Sequence, residues 1–249
     1  MCIRDRYGGD INFTNMKSYL LESGYQKLTA DTDFPMSQHQ NAWGVNDDIT
    51  FDHLYQMLKD RKDSPWHTAF LTLSSHEPFE VPYHRLKEKQ PNAFAFTDHC
   101  LGEFVERIRK TPIWNNLLII CLPDHGFYYP AEGNGHDARI HHIPMLWLGG
   151  AVKQPMVIDQ LMNQSDLAAT LLAQLDIDHS EFNFSRNILG TEYTYPFAYW
   201  TFGGGCAFAD STGVTLMDLN VDQPVLETPS PNENRILRGK ALSLIHISE

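Results

Sequence analysis

The chain has 249 residues, of which 31 are acidic and 19 are basic, so its formal net charge is −12. Hydrophobic residues make up 42% and charged residues 20%, which is typical of a globular protein and excludes a disordered chain or a coiled coil. The basic residues are scattered, and this argues against nucleic acid as a partner because phosphate binding needs a concentrated basic face.

The two ends of the chain do not continue the pattern of their neighbours. Residues 1–6 and 242–249 resemble peptides translated from sequencing-adapter DNA, and we expect both to be non-native. Residues 7–192 are then expected to form one partial domain, and residues 193–241 a C-terminal antiparallel β segment of the same domain. On this interpretation the natural protein continues upstream of Tyr7.

Helical and strand patterns alternate along the chain. The spacing of apolar residues predicts helices over residues 12–23, 48–60, 93–110 and 165–175. Asp48 or Thr50 is expected to cap the second of these helices, and Ser165 the last. Short apolar runs predict strands over residues 68–73, 117–122 and 144–148. This alternation predicts an α/β fold with a mostly parallel sheet covered by helices on both faces.

A different pattern follows residue 193. Three short strands, over residues 197–202, 206–210 and 214–218, are separated by glycine-containing turns. Such spacing is typical of antiparallel hairpins.

The first candidate site follows the strand predicted over residues 117–122. In open α/β sheets ligands bind beyond the carboxyl ends of the strands, and Asp124 and His125 lie at that point. A carboxylate beside an imidazole suits Zn²⁺ or Mn²⁺, and Gly126 is expected to allow a sharp turn. The alternative is that Asp124 caps a turn and His125 is a solvated loop residue.

More histidines lie at the same predicted edge. His76 follows the strand predicted over residues 68–73, and its alternative role is to cap a loop beside Pro78. His136, His141 and His142 lie in the loop that begins at Asp124.

Taken together, these motifs resemble the alkaline phosphatase superfamily, in its lipoteichoic acid synthase, phosphoglycerol transferase and sulfatase-like branch. The matching segments occur in the family's order: Tyr7 to Asp10 with Phe13 and Asn15, residues 42–48, 74–79, the helix with Asp98 and Phe104, and residues 114–116, 124–126, 142–145 and 164–172.

The resemblance implies roles for the candidate residues. Asp124 and His125 match metal ligands, for Mn²⁺ or Zn²⁺ with Mg²⁺ as an alternative. His76 matches a catalytic histidine that binds the substrate phosphate or a second metal. His141 matches a catalytic histidine in a His-x-x-Pro setting, and His136 and His142 compete with it as substrate-binding residues.

The resemblance also implies an activity. The chain is expected to be a fragment of a metal-dependent transferase that acts on phosphoglycerol- or phosphoethanolamine-type head groups of phospholipids or envelope glycans. Its Thr or Ser nucleophile is expected upstream of Tyr7, so this chain contains none. The alternatives are a sulfuric or phosphoric ester hydrolase and a non-catalytic envelope-binding domain.

Two further expectations come from the branch. Its members carry N-terminal membrane helices, which implies a protein of the cell inner membrane with its catalytic domain on the extracytoplasmic, periplasmic side. The chain departs from the branch at Thr14-Asn15-Met16, where lipoteichoic acid synthases have a Trp and an Arg that grip glycerol phosphate. This departure leaves glycerol phosphate open as the substrate.

Overall fold

The computed structural model describes residues 2–62, 64–130 and 135–247. Met1, Ser248 and Glu249, which belong to the ends predicted to be non-native, lie outside the described residues. The helices are α1 (Met16–Glu22), α2 (Asp47–Leu58), α3 (Lys89–Ile108), α4 (Asp166–Gln174) and α5 (Glu233–Ile247). The strands are β1 (Cys2–Tyr7), β2 (His39–Asn41), β3 (Gly44–Val45), β4 (Trp66–Leu71), β5 (Ile119–Cys121), β6 (Leu146–Leu148), β7 (Phe197–Phe202), β8 (Gly205–Asp210), β9 (Gly213–Asp218) and β10 (Gln223–Thr228).

The strands form parallel and antiparallel sheets. β1 pairs with β4 in parallel, β2 pairs with β3 antiparallel, and β5 lies beside β6. The four C-terminal strands form an antiparallel sheet in the order β10-β9-β8-β7. The predicted α/β class with a C-terminal antiparallel segment is confirmed.

The chain divides into two compact units. The first comprises Met1–Ile119 and Trp147–Lys153, and the second Ile120–Leu146 and Gln154–Glu249. The core of the first unit lies between α2 and α3, whose apolar faces meet along their length. Its buried members are Phe51, Leu54, Leu58, Phe96, Cys100, Phe104, Ile108 and Leu117.

The second unit is built on its four-stranded sheet. Every residue of β8 is buried, and α5 packs on β8 and β9. Arg235 of α5 is 1% exposed, and its guanidinium donates hydrogen bonds to the hydroxyls of Thr215 and Thr212. A tight turn joins β7 to β8 through Gly204, whose φ of 77° favours glycine.

Several local predictions were wrong. Asn46, not Asp48 or Thr50, occupies the N-cap of α2. Ser165 is the N-cap of α4, as predicted, although its side chain makes no capping hydrogen bond. The region predicted as a β segment over residues 193–241 ends its strands at Thr228 and continues as α5. Polar residues dominate the start of α5, and its last residues belong to the end that was predicted to be non-native, so this helix was not predicted. β1, β2, β3 and β10 were not predicted, and the non-native origin of the two ends stays a prediction.

None of the helices in the part of the chain that the structure describes is long and apolar enough to span a bilayer.

Candidate functional site

A buried aspartate fixes the segment that follows β4. Asp47, the first residue of α2, is fully buried. Its carboxylate accepts hydrogen bonds from the backbone N–H groups of Leu73 (2.8 Å) and Ser74 (3.3 Å) and from the Thr97 hydroxyl (2.7 Å). Burial raises the pKa of Asp47, and these hydrogen bonds oppose the rise. The turn that carries His76 is therefore attached directly to α2.

His76 is exposed and oriented by its own turn. Its Nδ1 lies 2.9 Å from the Glu77 carbonyl oxygen. A carbonyl can only accept, so Nδ1 carries the proton and Nε2 of the neutral ring keeps its lone pair. The predicted position of His76 just beyond a strand is what the structure shows.

Trp43 packs against His76 beside a cavity. The two rings make an edge-to-face contact with centroids 4.9 Å apart, and Phe13 contacts Trp43 in the same manner at 5.4 Å. The cavity has a volume of about 270 Å³ and is lined by Asp10, Phe13, Asp31, His39, Asn41, Ala42, Trp43 and Gly44.

Asp124 and His125 lie beyond β5 and are both exposed. Asp124 Oδ2 lies 3.7 Å from His125 Nε2, and Asp124 Oδ1 accepts the backbone N–H of His125. His125 Nδ1 lies 2.8 Å from the Gly126 carbonyl oxygen and therefore carries its proton. This leaves the Nε2 lone pair beside the free carboxylate oxygen.

Gly126 is required by close approach to another segment of the backbone. The chain bends at Asp124 and His125, directly before Gly126, and the φ of Gly126 is not positive. A Cβ added to Gly126 would lie 1.4 Å from the Ile140 carbonyl oxygen. Any side chain here would push the Asp124-His125 segment away from the 3₁₀ turn of Ala138–His141.

The three loop histidines differ in their surroundings. His141 stacks on Trp200 at 4.9 Å and 23°, and its Nε2 lies 3.1 Å from the Gly135 carbonyl oxygen. His136 contacts Phe202 at 4.6 Å, and His142 is exposed. Trp200 and Phe202 are two residues apart on β7 and so share one face, which brings His136 and His141 to the same side of the sheet.

A second buried aspartate organises the segment before α4. Asp166 is fully buried and accepts hydrogen bonds from the backbone N–H groups of Asn163 (2.7 Å) and Arg186 (2.9 Å). It also forms an ion pair with the Arg186 guanidinium. The neighbouring Gln164 side chain donates to the Pro123 carbonyl at 2.7 Å, directly before Asp124.

Asp124 and His125 fit as two ligands of one divalent ion. Metal–ligand bonds of about 2.1 Å at tetrahedral angles separate two ligand atoms by roughly 3.4 Å, close to the separation in this pair. An imidazole whose other nitrogen donates to a backbone carbonyl is the usual form of a ligating histidine. Among residues 2–62, 64–130 and 135–247, no group of three or more His, Cys, Asp or Glu residues could hold a metal.

The candidate residues fall in both units. His76 lies in the first unit, and Asp124, His125, His136, His141 and His142 lie in the second. Sequence reasoning gave no role to Trp43, Asp47, Asp166 or Trp200. Trp43, Asp47 and Asp166 stood inside recognised motifs, but their partners are far along the chain.

Comparison with known proteins gives a family match and several relatives. The family model for Sulfatase matches residues 6–177. Phosphoglycerol transferase I of Xanthomonas campestris pv. campestris (strain B100) is 23% identical over 202 residues, which cover 74% of this chain and 29% of that protein.

Two solved structures share the fold. One is a protein of the alkaline phosphatase superfamily from Vibrio parahaemolyticus, with a TM-score of 0.80 and 22% identity over 98% of this chain and 64% of that one. The other is the lipoteichoic acid synthase LtaP from Listeria monocytogenes, with a TM-score of 0.79 and 15% identity over 99% of this chain and 69% of that one.

Proposed function

The chain belongs to the sulfatase family, and from that premise we propose that it is part of a metal-dependent phosphotransferase. Its substrates would be phosphoglycerol- or phosphoethanolamine-type head groups of phospholipids or envelope polymers. The name of the phosphoglycerol transferase relative supports this choice. The chain spans under a third of that relative's length, 29%, so the nucleophile and the membrane helices are proposed to lie in other parts of the protein.

The observation that best supports the proposal is the short distance between the side chains of Asp124 and His125. Their facing Oδ2 and Nε2 atoms, 3.7 Å apart, would hold a Mn²⁺ or Zn²⁺ ion, with Mg²⁺ as the alternative. When bound, such an ion neutralises a phosphate oxygen and lowers the pKa of the attacking hydroxyl. The hydrogen bond from His125 Nδ1 to the Gly126 carbonyl selects, for the neutral ring, the tautomer whose lone pair lies on Nε2.

Each histidine would have a distinct task. His76 would accept or donate a proton at Nε2, because its Nδ1 is held by the Glu77 carbonyl. His141 would act through Nδ1, since its Nε2 donates to the Gly135 carbonyl. His136 and His142, both exposed, would bind the substrate phosphate. The protein would act on the extracytoplasmic, periplasmic side of the inner membrane.

Metal binding is tested first, on the full-length protein that contains this chain. We expect isothermal titration with MnCl₂ or ZnCl₂ to show one site that Asp124→Ala removes. Asp178→Ala is the matched control because Asp178-His179 is another Asp-His dipeptide of the second unit. No metal binding, or equal losses in both variants, would contradict the proposal.

Substrate class is tested by turnover. Transfer of labelled glycerol phosphate from phosphatidylglycerol, lost in Asp124→Ala, is the expected result. Cleavage of an aryl sulfate without such transfer would favour the ester hydrolase. Metal binding with neither reaction would favour the non-catalytic envelope-binding domain.

A further inference from the structure

One backbone carbonyl receives hydrogen bonds from two rings of the first unit. The Glu77 carbonyl accepts the indole Nε1–H of Trp43 at 2.6 Å and the Nδ1–H of His76 at 2.9 Å. The two donors also touch, with ring centroids 4.9 Å apart and planes at 65°. Trp43 therefore contacts His76 and shares its hydrogen-bond acceptor.

Trp43 is itself held on more than one side. The edge-to-face contact with Phe13 has an interplanar angle of 77°. The Trp43 backbone N–H donates to Asn41 Oδ1 at 2.8 Å, and the Asn41 side-chain amide donates to the buried Asn46. Asn46 is the N-cap of α2, so the indole is linked to the start of that helix.

The orientation of His76 decides which of its atoms can react. A neutral imidazole has two tautomers, and only the one with Nδ1–H leaves the lone pair on Nε2. A ring on an exposed turn samples several rotamers and both tautomers unless its neighbours select one. Trp43 restricts both choices, because it packs against the ring and fixes the position of the acceptor carbonyl.

We propose that Trp43 is a positioning residue that sets the rotamer and tautomer of His76, an inference that rests on the role proposed for His76 above. Trp43 and Glu77, whose carbonyl accepts the indole N–H, are 34 residues apart in the sequence. Trp43 acts through His76 and has no proton-transfer role of its own.

Tautomers provide a readout that needs no turnover. Long-range ¹H–¹⁵N NMR of the histidine-labelled chain, at a pH where imidazoles are neutral, should show His76 protonated at Nδ1, with assignment by His76→Asn. Trp43→Ala should convert this signal to a mixture of the two tautomers. Trp43→Phe keeps a ring but loses the N–H donor, and it should give an intermediate result.

Tyr25→Phe is the matched control, because the Tyr25 hydroxyl lies 3.2 Å from His67 Nε2 in a second aromatic–histidine pair of the same unit. This variant should change the signals of His67 and leave those of His76 unaltered. An unchanged His76 signal in Trp43→Ala overturns the inference.

Kinetics of the full-length protein separate this inference from the proposed function. Trp43→Ala should lower kcat roughly tenfold, less than the 10²–10⁴-fold expected for loss of a general acid or base, with KM changed by no more than about twofold. The double variant with His76→Asn should be no slower than His76→Asn alone, because Trp43 acts through His76.

Two outcomes contradict the inference in different ways. If His76→Asn abolishes turnover while Trp43→Ala changes neither the tautomer nor kcat, the inference fails and the proposed function stands. If His76→Asn leaves turnover intact, the proposed role of His76 fails and the inference fails with it.

Discussion

Asp47 and Asp166 occupy equivalent places in the two units but bind different partners. Each is the first residue of a helix and is fully buried. Asp47 receives hydrogen bonds from neutral donors, among them two backbone N–H groups and the Thr97 hydroxyl. Asp166 receives two backbone N–H groups and the guanidinium of Arg186.

The two aspartates also differ in how closely they approach the candidate residues. Asp47 binds the N–H groups of Leu73 and Ser74, two to three residues before His76. Asp166 acts on the candidate residues only indirectly. The side chain of Gln164, two residues before Asp166, donates a hydrogen bond to the carbonyl of Pro123, the residue before Asp124. The His76 turn is thus fixed by a buried carboxylate, whereas Asp124 and His125 depend on backbone packing at Gly126. This contrast predicts different responses to substitution.

The largest effect is expected at the charged pair. Asp166→Ala leaves the Arg186 guanidinium without its carboxylate and two backbone N–H groups without an acceptor. We expect the free energy of unfolding to fall by about 3 kcal/mol. This value is at the lower end of the range for breaking a buried ion pair, because the Arg186 side chain is 23% exposed. Urea unfolding measures it, and exposed Asp159→Ala is the control. Equal effects in the two variants would contradict the assigned role of Asp166.

The next effect is expected at Asp47. Asp47→Asn keeps the shape of the side chain but replaces one acceptor oxygen by an NH₂ group that faces N–H or O–H donors. We expect a loss of about 2 kcal/mol, within the range for leaving buried polar groups unsatisfied. Asp48→Asn is the matched control, since Asp48 is the exposed neighbour in the same helical turn.

The pH dependence distinguishes Asp47 from an ion-paired carboxylate. Its pKa is raised above 3.8 by burial, so the folded chain binds more protons than the unfolded chain between the two pKa values. The stability advantage of the wild type over Asp47→Asn is therefore largest below about pH 3.9 and decreases as the pH rises through the folded pKa. Urea midpoints of both proteins across this range measure it. An advantage that grows with pH would show that hydrogen bonding outweighs burial.

The sequence was sufficient to predict the order of the main helices and strands, because the pattern of apolar residues that indicates each of them lies within a short segment. The apolar stripe of α2 and the short buried run of β4 are both complete within a few residues. The Asp-His dipeptides show the limit of such local patterns for predicting a site. The sequence contains them at residues 52–53, 98–99, 124–125 and 178–179, and two of the four lie inside α2 and α3. Only the position after a predicted strand singled out Asp124-His125.

The anchoring contacts were not predictable in this way because they join distant residues. Asp47 bonds to Leu73, 26 residues away, and Asp166 to Arg186, 20 residues away. Neither partner carries a local signal of the contact. The close approach of the Ile140 carbonyl to Gly126 was not predictable either, because Ile140 lies 14 residues further along the chain.

Gly126→Ala tests the backbone packing of the second unit. The added methyl group must displace either the Ile140 carbonyl or the Asp124-His125 segment. We expect the proposed metal affinity of the full-length protein to fall roughly tenfold, about 1.4 kcal/mol. Gly102→Ala is the matched control, because no atom lies within 4 Å of its added Cβ on α3, and it should retain full affinity. Unchanged affinity in Gly126→Ala would show that this contact does not position the two ligands.

The smallest effect is expected at Asp137, a carboxylate paired with a cation at the surface. The Arg139 side chain, 88% exposed, lowers the pKa of Asp137 to about 2 through hydrogen bonds. Arg139→Ala should raise this pKa only part of the way to about 3.9, because the backbone N–H of residue 139 still donates to the carboxylate. A carboxyl whose pKa is lower in the folded chain than in the unfolded chain stabilises the fold at pH values above the unfolded pKa. This stabilisation is lost as the pH falls through the folded pKa. At an exposed pair such as this one, solvent screening makes the stabilisation small.

NMR titration of the Asp137 carboxyl in low and high salt measures the contribution of the cation. Salt should raise the pKa of Asp137, whereas that of Asp178, lowered chiefly by the Ser180 hydroxyl, should change less. The urea midpoint at neutral pH should not change in Arg139→Ala. A shifted midpoint would mean that this pair holds the turn of His141, and the second unit would then have a carboxylate anchor beside its candidate residues, as the first unit has in Asp47.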